Sequence, residues 1–224
     1  MKYLIGIIAV LAIAGGAYYF VTQTSRVPEG VEQAVVSDEG TVPSDSGTGS
    51  SAATGTPVAA SDRVAIANTT LVAQNLDFKF TGYGPGGKQH TGTFTSITTG
   101  DVKTGENGLP VSGKVIFKGN TVVTDTAAVD KHLCSDDFFN CAKYPEIVFE
   151  YKGIREDAAN SSFAVTGALT LNGVTKDISF PVKHAGALAF SSDFLLDTTP
   201  FQLKYVGINK DVRVQFSFDF AQDR

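Results

Sequence analysis

The chain has 224 residues, of which 42% are hydrophobic, and a formal net charge of −5; this is enough for one substantial domain with additional segments. No basic stripe with interleaved aromatics runs through it, which argues against nucleic acid as a partner. Its two cysteines are too few to build a disulfide scaffold, so the core must come from apolar burial.

Leu4 to Val21 is a run of 18 residues without a charge, preceded by Lys2. About 18 apolar residues suffice to cross a bilayer core, whereas the apolar part of a secretory signal is usually about 7–15. Residues 1–21 are therefore expected to form a transmembrane anchor. The alternative is a signal cut after Ala12-Ile-Ala14, which leaves Tyr18-Tyr-Phe-Val21 at an apolar mature terminus. Either reading exports the remainder, so the expected location is membrane-anchored, with the rest extracytoplasmic in a periplasm or at a cell surface.

Residues 22–62 are rich in Ser, Thr, Gly, Ala and Pro, and their acids outnumber Arg26. Such a run has too little apolar mass to offset its ordering entropy, so it is expected to be a disordered linker with a reach of about 35 Å. The remainder is close to neutral, which gives no basis for electrostatic docking on an anionic bilayer.

From residue 63 to 224 apolar residues recur at every second position, the pattern of strands with one buried face. Val212, Val214, Phe216, Phe218 and Phe220 are the clearest case. Others are Phe78/Phe80, Val115/Phe117, Phe163/Val165, Leu169/Leu171, Ile178/Phe180/Val182 and Phe201/Leu203/Tyr205. Turn signals separate them, the strongest being Asn172-Gly173. Only residues 130–142 read as helical, closed by Tyr144-Pro145 because proline disfavours the α region before it. Eight to ten strands without a βαβ rhythm predict a closed or nearly closed antiparallel β-barrel. Its interior is wide enough for side chains or for one slender ligand, and periodicity alone favours a solid core.

The order His132-Leu133, Ser135, Asp137-Phe138-Phe139, Tyr144-Pro145 and Phe149 resembles the central segment of the YceI-like polyisoprenoid-binding family. Phe80-Thr-Gly82 with His90-Thr-Gly-Thr-Phe94, and Gly167-Ala-Leu-Thr-Leu-Asn-Gly-Val-Thr-Lys176, are similar to two further blocks of that family, in the same order. Two departures stand out. The chain has no tryptophan, and it reads Thr198-Thr-Pro-Phe-Gln202 where the family shows Arg-x-x-Phe-Gly.

The resemblance implies a lipocalin-like barrel that holds a long isoprenoid chain, such as a polyprenyl lipid or a quinone, for storage or transfer. No cofactor and no enzymatic activity are implied. The residues expected to line the tunnel are Phe94, Phe117, Phe138, Phe139, Ile147, Phe149, Phe163, Val165, Leu169, Ile178, Phe180, Phe216 and Phe218. His90 and His132 are candidate headgroup contacts, against the plainer reading of loop-fixing histidines. The competing function is a solid-cored barrel acting as a cell-surface interaction or stress-response module. The oligomeric state is left open.

Export favours a disulfide between Cys134 and Cys141. Positions seven apart on a straight helix lie about 10 Å apart, too far to bridge, so the helix must end or bend near Asn140. A metal site from His132, Cys134 and Cys141 is the weaker alternative, since it has no C-x-x-C pair.

Overall fold

The computed structural model describes residues 27–38, 69–100, 102–106, 110–157, 162–184, 189–204 and 208–222. The expected membrane segment, residues 1–21, lies outside the described residues. Among the described residues no helix is long and apolar enough to cross a membrane.

The strands are β1 (Glu32–Gln33), β2 (Val35–Ser37), β3 (Thr70–Tyr83), β4 (Gln89–Phe94), β5 (Ile97–Thr99), β6 (Val102–Thr104) and β7 (Pro110–Ser112). After them come β8 (Lys114–Lys118), β9 (Val122–Thr124), helix α1 (Ala127–Leu133), β10 (Glu146–Asp157), β11 (Ser162–Leu171), β12 (Val174–His184), β13 (Ala189–Asp197) and β14 (Asp211–Gln222). The hydrogen-bonded path runs β5-β8-β10-β11-β12-β13-β14-β3-β4-β9. Its two ends are halves of the same bent strands, because β4 leads into β5 and β8 into β9. At that corner the Thr95 N–H donates to the Thr121 carbonyl and the Lys118 N–H to the Ser96 carbonyl, both at 3.0 Å. The sheet therefore curls into an antiparallel barrel.

Local chemistry accounts for the turns and bulges. Asn172 and Gly173 both have positive φ, 51° and 73°, the two-residue turn whose twist suits a hairpin, and β11 and β12 pair from Leu171 and Val174 outward. Asn75, at φ 53°, absorbs one residue of β3 and donates from its amide to Asp219 at 2.9 Å. That bulge moves the inward set from Ala73 to Leu76, Phe78 and Phe80. The ladder between β10 and β11 shifts between Tyr151 and Gly153, which lets Tyr151 and Ile154 share a face in the same way.

Three expectations are corrected. Residues 22–62 are not one structureless tether, because Glu32–Ser37 form β1 and β2 on the barrel and Ala34 is only 4% exposed; free strand edges hold a segment too short to show a pattern of its own. The helix is α1, ending before Cys134, and not 130–142. It starts early because the Asp130 carboxylate accepts both the N–H and the hydroxyl of Thr124 at 2.6 Å, which pins the first turn to the end of β9. Phe201 and Leu203 do not begin a strand. Phe201 is fully buried as the last residue of a short 3-10 turn, Thr199–Phe201, and Gln202 after it sits at φ 59°.

Candidate functional site

An apolar cavity of about 490 Å³ occupies the barrel. On β3 alone its wall runs from Ala73 to Tyr83, a strand length of roughly 33 Å. Polar lining residues cluster at the two ends. Tyr83, Lys88, His90, Thr124, His132, Thr198 and Asn209 stand at the α1 end, and Thr99, Ser112, Lys114 and Tyr151 at the other. Burial pushes the Tyr151 phenol up to about 12, and its neutral hydroxyl donates to the Pro110 carbonyl at 2.8 Å.

Of the expected lining residues, Phe94, Phe117, Phe138, Phe139, Ile147, Phe149, Val165, Leu169, Ile178, Phe180, Phe216 and Phe218 face this cavity. Phe163 does not line it. It is buried near the start of β11 although its partner across the ladder, Val182, does line the cavity, so strand alternation alone does not decide which positions reach the bore. The sequence reading missed Phe78, Phe80, Phe190, Phe194 and Phe220, which also face the cavity. Their period-2 spacing was the available signal; the Phe194-Leu195-Leu196 run hides it on β13.

The rings do not fill the bore, because glycines let two of them lie against the wall. A Cβ on Gly167 would stand 2.3 Å from a Phe149 ring atom, and one on Gly92 would stand 2.5 Å from Phe80. Elsewhere the rings pack against one another in tilted and stacked pairs. Phe78, Phe94 and Phe117 meet at centroid distances of 4.7 to 6.1 Å, and Phe180 stacks on Phe194 at 4.7 Å and 11°. Such contacts stiffen a lining.

Phe138 and Phe139 are presented by the turn after α1. Phe139 reaches Phe94 at 5.9 Å and Phe80 at 6.5 Å. Cys134 and Cys141 are joined, with Cα atoms 5.0 Å apart; Asn140, at φ 49°, reverses the chain between them. The bond takes both thiolates away from the alternative metal set. Lys204 fixes the turn from outside, its ammonium 2.6 Å from Asp137, and this hydrogen bond holds the Asp137 carboxyl below the usual carboxylate range. Replacing both cysteines with serine is expected to lower stability by roughly 2–3 kcal/mol for so short a loop, measured by thermal melting.

His90 places Nδ1 2.8 Å from Asp125, and the His132 ring meets Phe138 edge-on at 4.8 Å. Both stand at the α1 end of the cavity. The structure thus brings the two histidines to one mouth, each with a protein partner.

A family model described as the YceI-like domain matches residues 64–220. The chain belongs to the YceI-like family. Its YceI-like region runs from just before β3 nearly to the end of β14. The UPF0312 protein of Shewanella sp. (strain MR-4) is 36% identical over 110 residues, 46% of this chain and 56% of that protein. Protein YceI of Escherichia coli O157:H7 is 43% identical over 79 residues, 34% of this chain and 40% of that protein. The chain thus spans about half the length of the curated relatives it matches. Among solved structures, Burkholderia cenocepacia BcnA is similar in fold, with a TM-score of 0.54 at 16% identity over 65% of this chain and 96% of that one. A polyisoprenoid binding domain from Saccharophagus degradans has a TM-score of 0.52 at 16% identity over 70% and 99%.

Membership makes sense of several local contacts. The Tyr144 ring of the YceI-like central segment lies over Gly173, where a Cβ would stand 2.4 Å from it, so two of the family's sequence blocks meet directly. Gln202 occupies a left-handed position where the family pattern has glycine, at some cost in strain. Thr198, where the pattern has arginine, lines the cavity and donates its hydroxyl to the Lys210 carbonyl at 2.7 Å.

Proposed function

We propose that the barrel binds one long-chain isoprenoid lipid, a polyprenyl lipid or a quinone, for storage or transfer outside the cytoplasm. The observation that carries this reading is the continuous apolar cavity along the barrel. A linear chain gains about 0.8 kcal/mol for each CH₂ removed from water, so a long dry bore binds it without many polar contacts. An unfilled apolar cavity denies its wall the packing contacts it would otherwise make. An apolar occupant restores them. Family membership, and the polyisoprenoid binding named for the Saccharophagus degradans relative, support the same ligand class.

In this reading His90, His132 and Lys88 meet the polar head of the lipid at the α1 mouth. The apolar run Leu4–Val21 holds the protein at a membrane, the source or destination of its cargo. The chain acts as a binding protein.

The ring-to-ring contacts along the wall favour a second reading, a packed barrel that serves as a surface module. Organic extraction and mass spectrometry of the purified protein separate the two. An isoprenoid recovered in fixed proportion to protein is expected; repeated extraction that yields none refutes the carrier reading.

A further inference from the structure

The barrel wall has one weak seam. β12 and β13 pair only at Lys183 with Ser191 and His184 with Phe190, beside their connection, whereas β13 and β14 pair over nine positions. The β12–β13 ladder stops at Pro181, which has no N–H to give. There the Ser192 hydroxyl donates to the Pro181 carbonyl instead.

Beyond that point residues 32–37 fill the gap. β2 pairs antiparallel with Asp177, Ile178 and Ser179 of β12, and β1 pairs parallel with Phe194 and Leu195 of β13. The Ala34 N–H donates to the Leu195 carbonyl at 2.8 Å. An inserted strand doubles the separation of its neighbours to about 9.6 Å. Ala34 and Val36 join the buried cluster that contains Phe180 and Phe194, while Val35 points outward, 54% exposed. Phe180 and Phe194 both line the cavity, and their stacked rings bridge the seam from inside. The segment precedes the family-matched residues 64–220, so it is an addition to the domain.

We propose that residues 32–37 are a releasable strap, and that lifting it opens a lateral passage between β12 and β13 for the chain of the ligand. This rests on the lipid-binding reading above. Two very short strands with small inward side chains open far more readily than the long ladders elsewhere, since local opening follows the number of contacts broken. With the strap lifted, the Phe180–Phe194 stack and the Ser192–Pro181 bond still span the seam, beside the β12–β13 pairs at Lys183 and His184. A slender chain can then pass sideways without being threaded from a mouth.

Two full-length variants test this. In Ala34→Asp a charge enters a buried site and displaces the strap. In Val35→Cys with Ser179→Cys, directly paired outward-facing positions, a disulfide locks it. Uptake of a dansyl-farnesyl probe from phosphatidylcholine vesicles is followed by the rise in dansyl emission, and hydrogen exchange is followed at the strap amides. Uptake scales with the open fraction, so it should be about tenfold faster in Ala34→Asp and about tenfold slower in the locked variant, relative to the single cysteine variants. Unchanged rates in both overturn the passage. Strap amides that exchange as slowly as those of β14 in the wild-type protein overturn the release itself. A wild-type protein that takes up no probe refutes the lipid reading and the passage with it, and leaves amide exchange to decide the strap.

Discussion

Replacing Gly167 with valine is expected to lower the melting temperature by roughly 6–12 °C, from a loss of about 3 kcal/mol in a domain of this size. Its Cβ would stand 2.3 and 2.4 Å from the Phe149 ring and 2.6 Å from the carbonyl oxygen of Glu150. The ring lines the bore and is flanked by Phe180, and the carbonyl belongs to the β10 backbone paired with β11. The variant should therefore lose both stability and lipid capacity. Gly82→Ala is the control, since a Cβ there meets nothing within 4 Å, and it should melt as the wild type does. Circular dichroism melts check both; a Gly167→Val protein with wild-type melting temperature would mean that the ring does not lie against the wall.

Phe139→Asp should abolish lipid retention and cost roughly 2–4 kcal/mol, through lost aromatic packing and a carboxylate placed against apolar surface. The ring touches both Phe80 and Phe94 and is carried on a turn braced by the disulfide and by Lys204. Phe139→Leu keeps the apolar surface and should retain most of the lipid. Extraction yield and melting temperature are read together: if neither falls in Phe139→Asp, Phe139 is not part of the binding wall.

Much of this was legible in the sequence because barrel strands leave a simple trace. Val212 to Phe220 alternates without interruption, and β14 takes that course; Asn172-Gly173 specifies its turn through local backbone sterics. Twelve of the lining residues follow from the same alternation together with the family resemblance. The failures have a common cause, which is that the deciding contact lies far away in the chain. The strap residues form strands only because β12 and β13 part beside Pro181. Phe163 has the right parity, yet the bore is lined at its ladder partner Val182 and not at Phe163 itself. Asp130 starts α1 early through its hydrogen bonds to Thr124, a link that helix periodicity does not show. Phe201 and Leu203 keep strand spacing, yet the left-handed Gln202 between them breaks the extension.

The polar groups around the cavity stand at its two ends, with aromatic and aliphatic side chains between them. A surface of that kind offers a hydrocarbon tail no landmarks along the way: after sliding by one isoprene unit, the tail finds much the same greasy neighbours as before. Tails of differing length should thus be held with similar tenacity per unit, and any preference among them must arise where the molecule emerges.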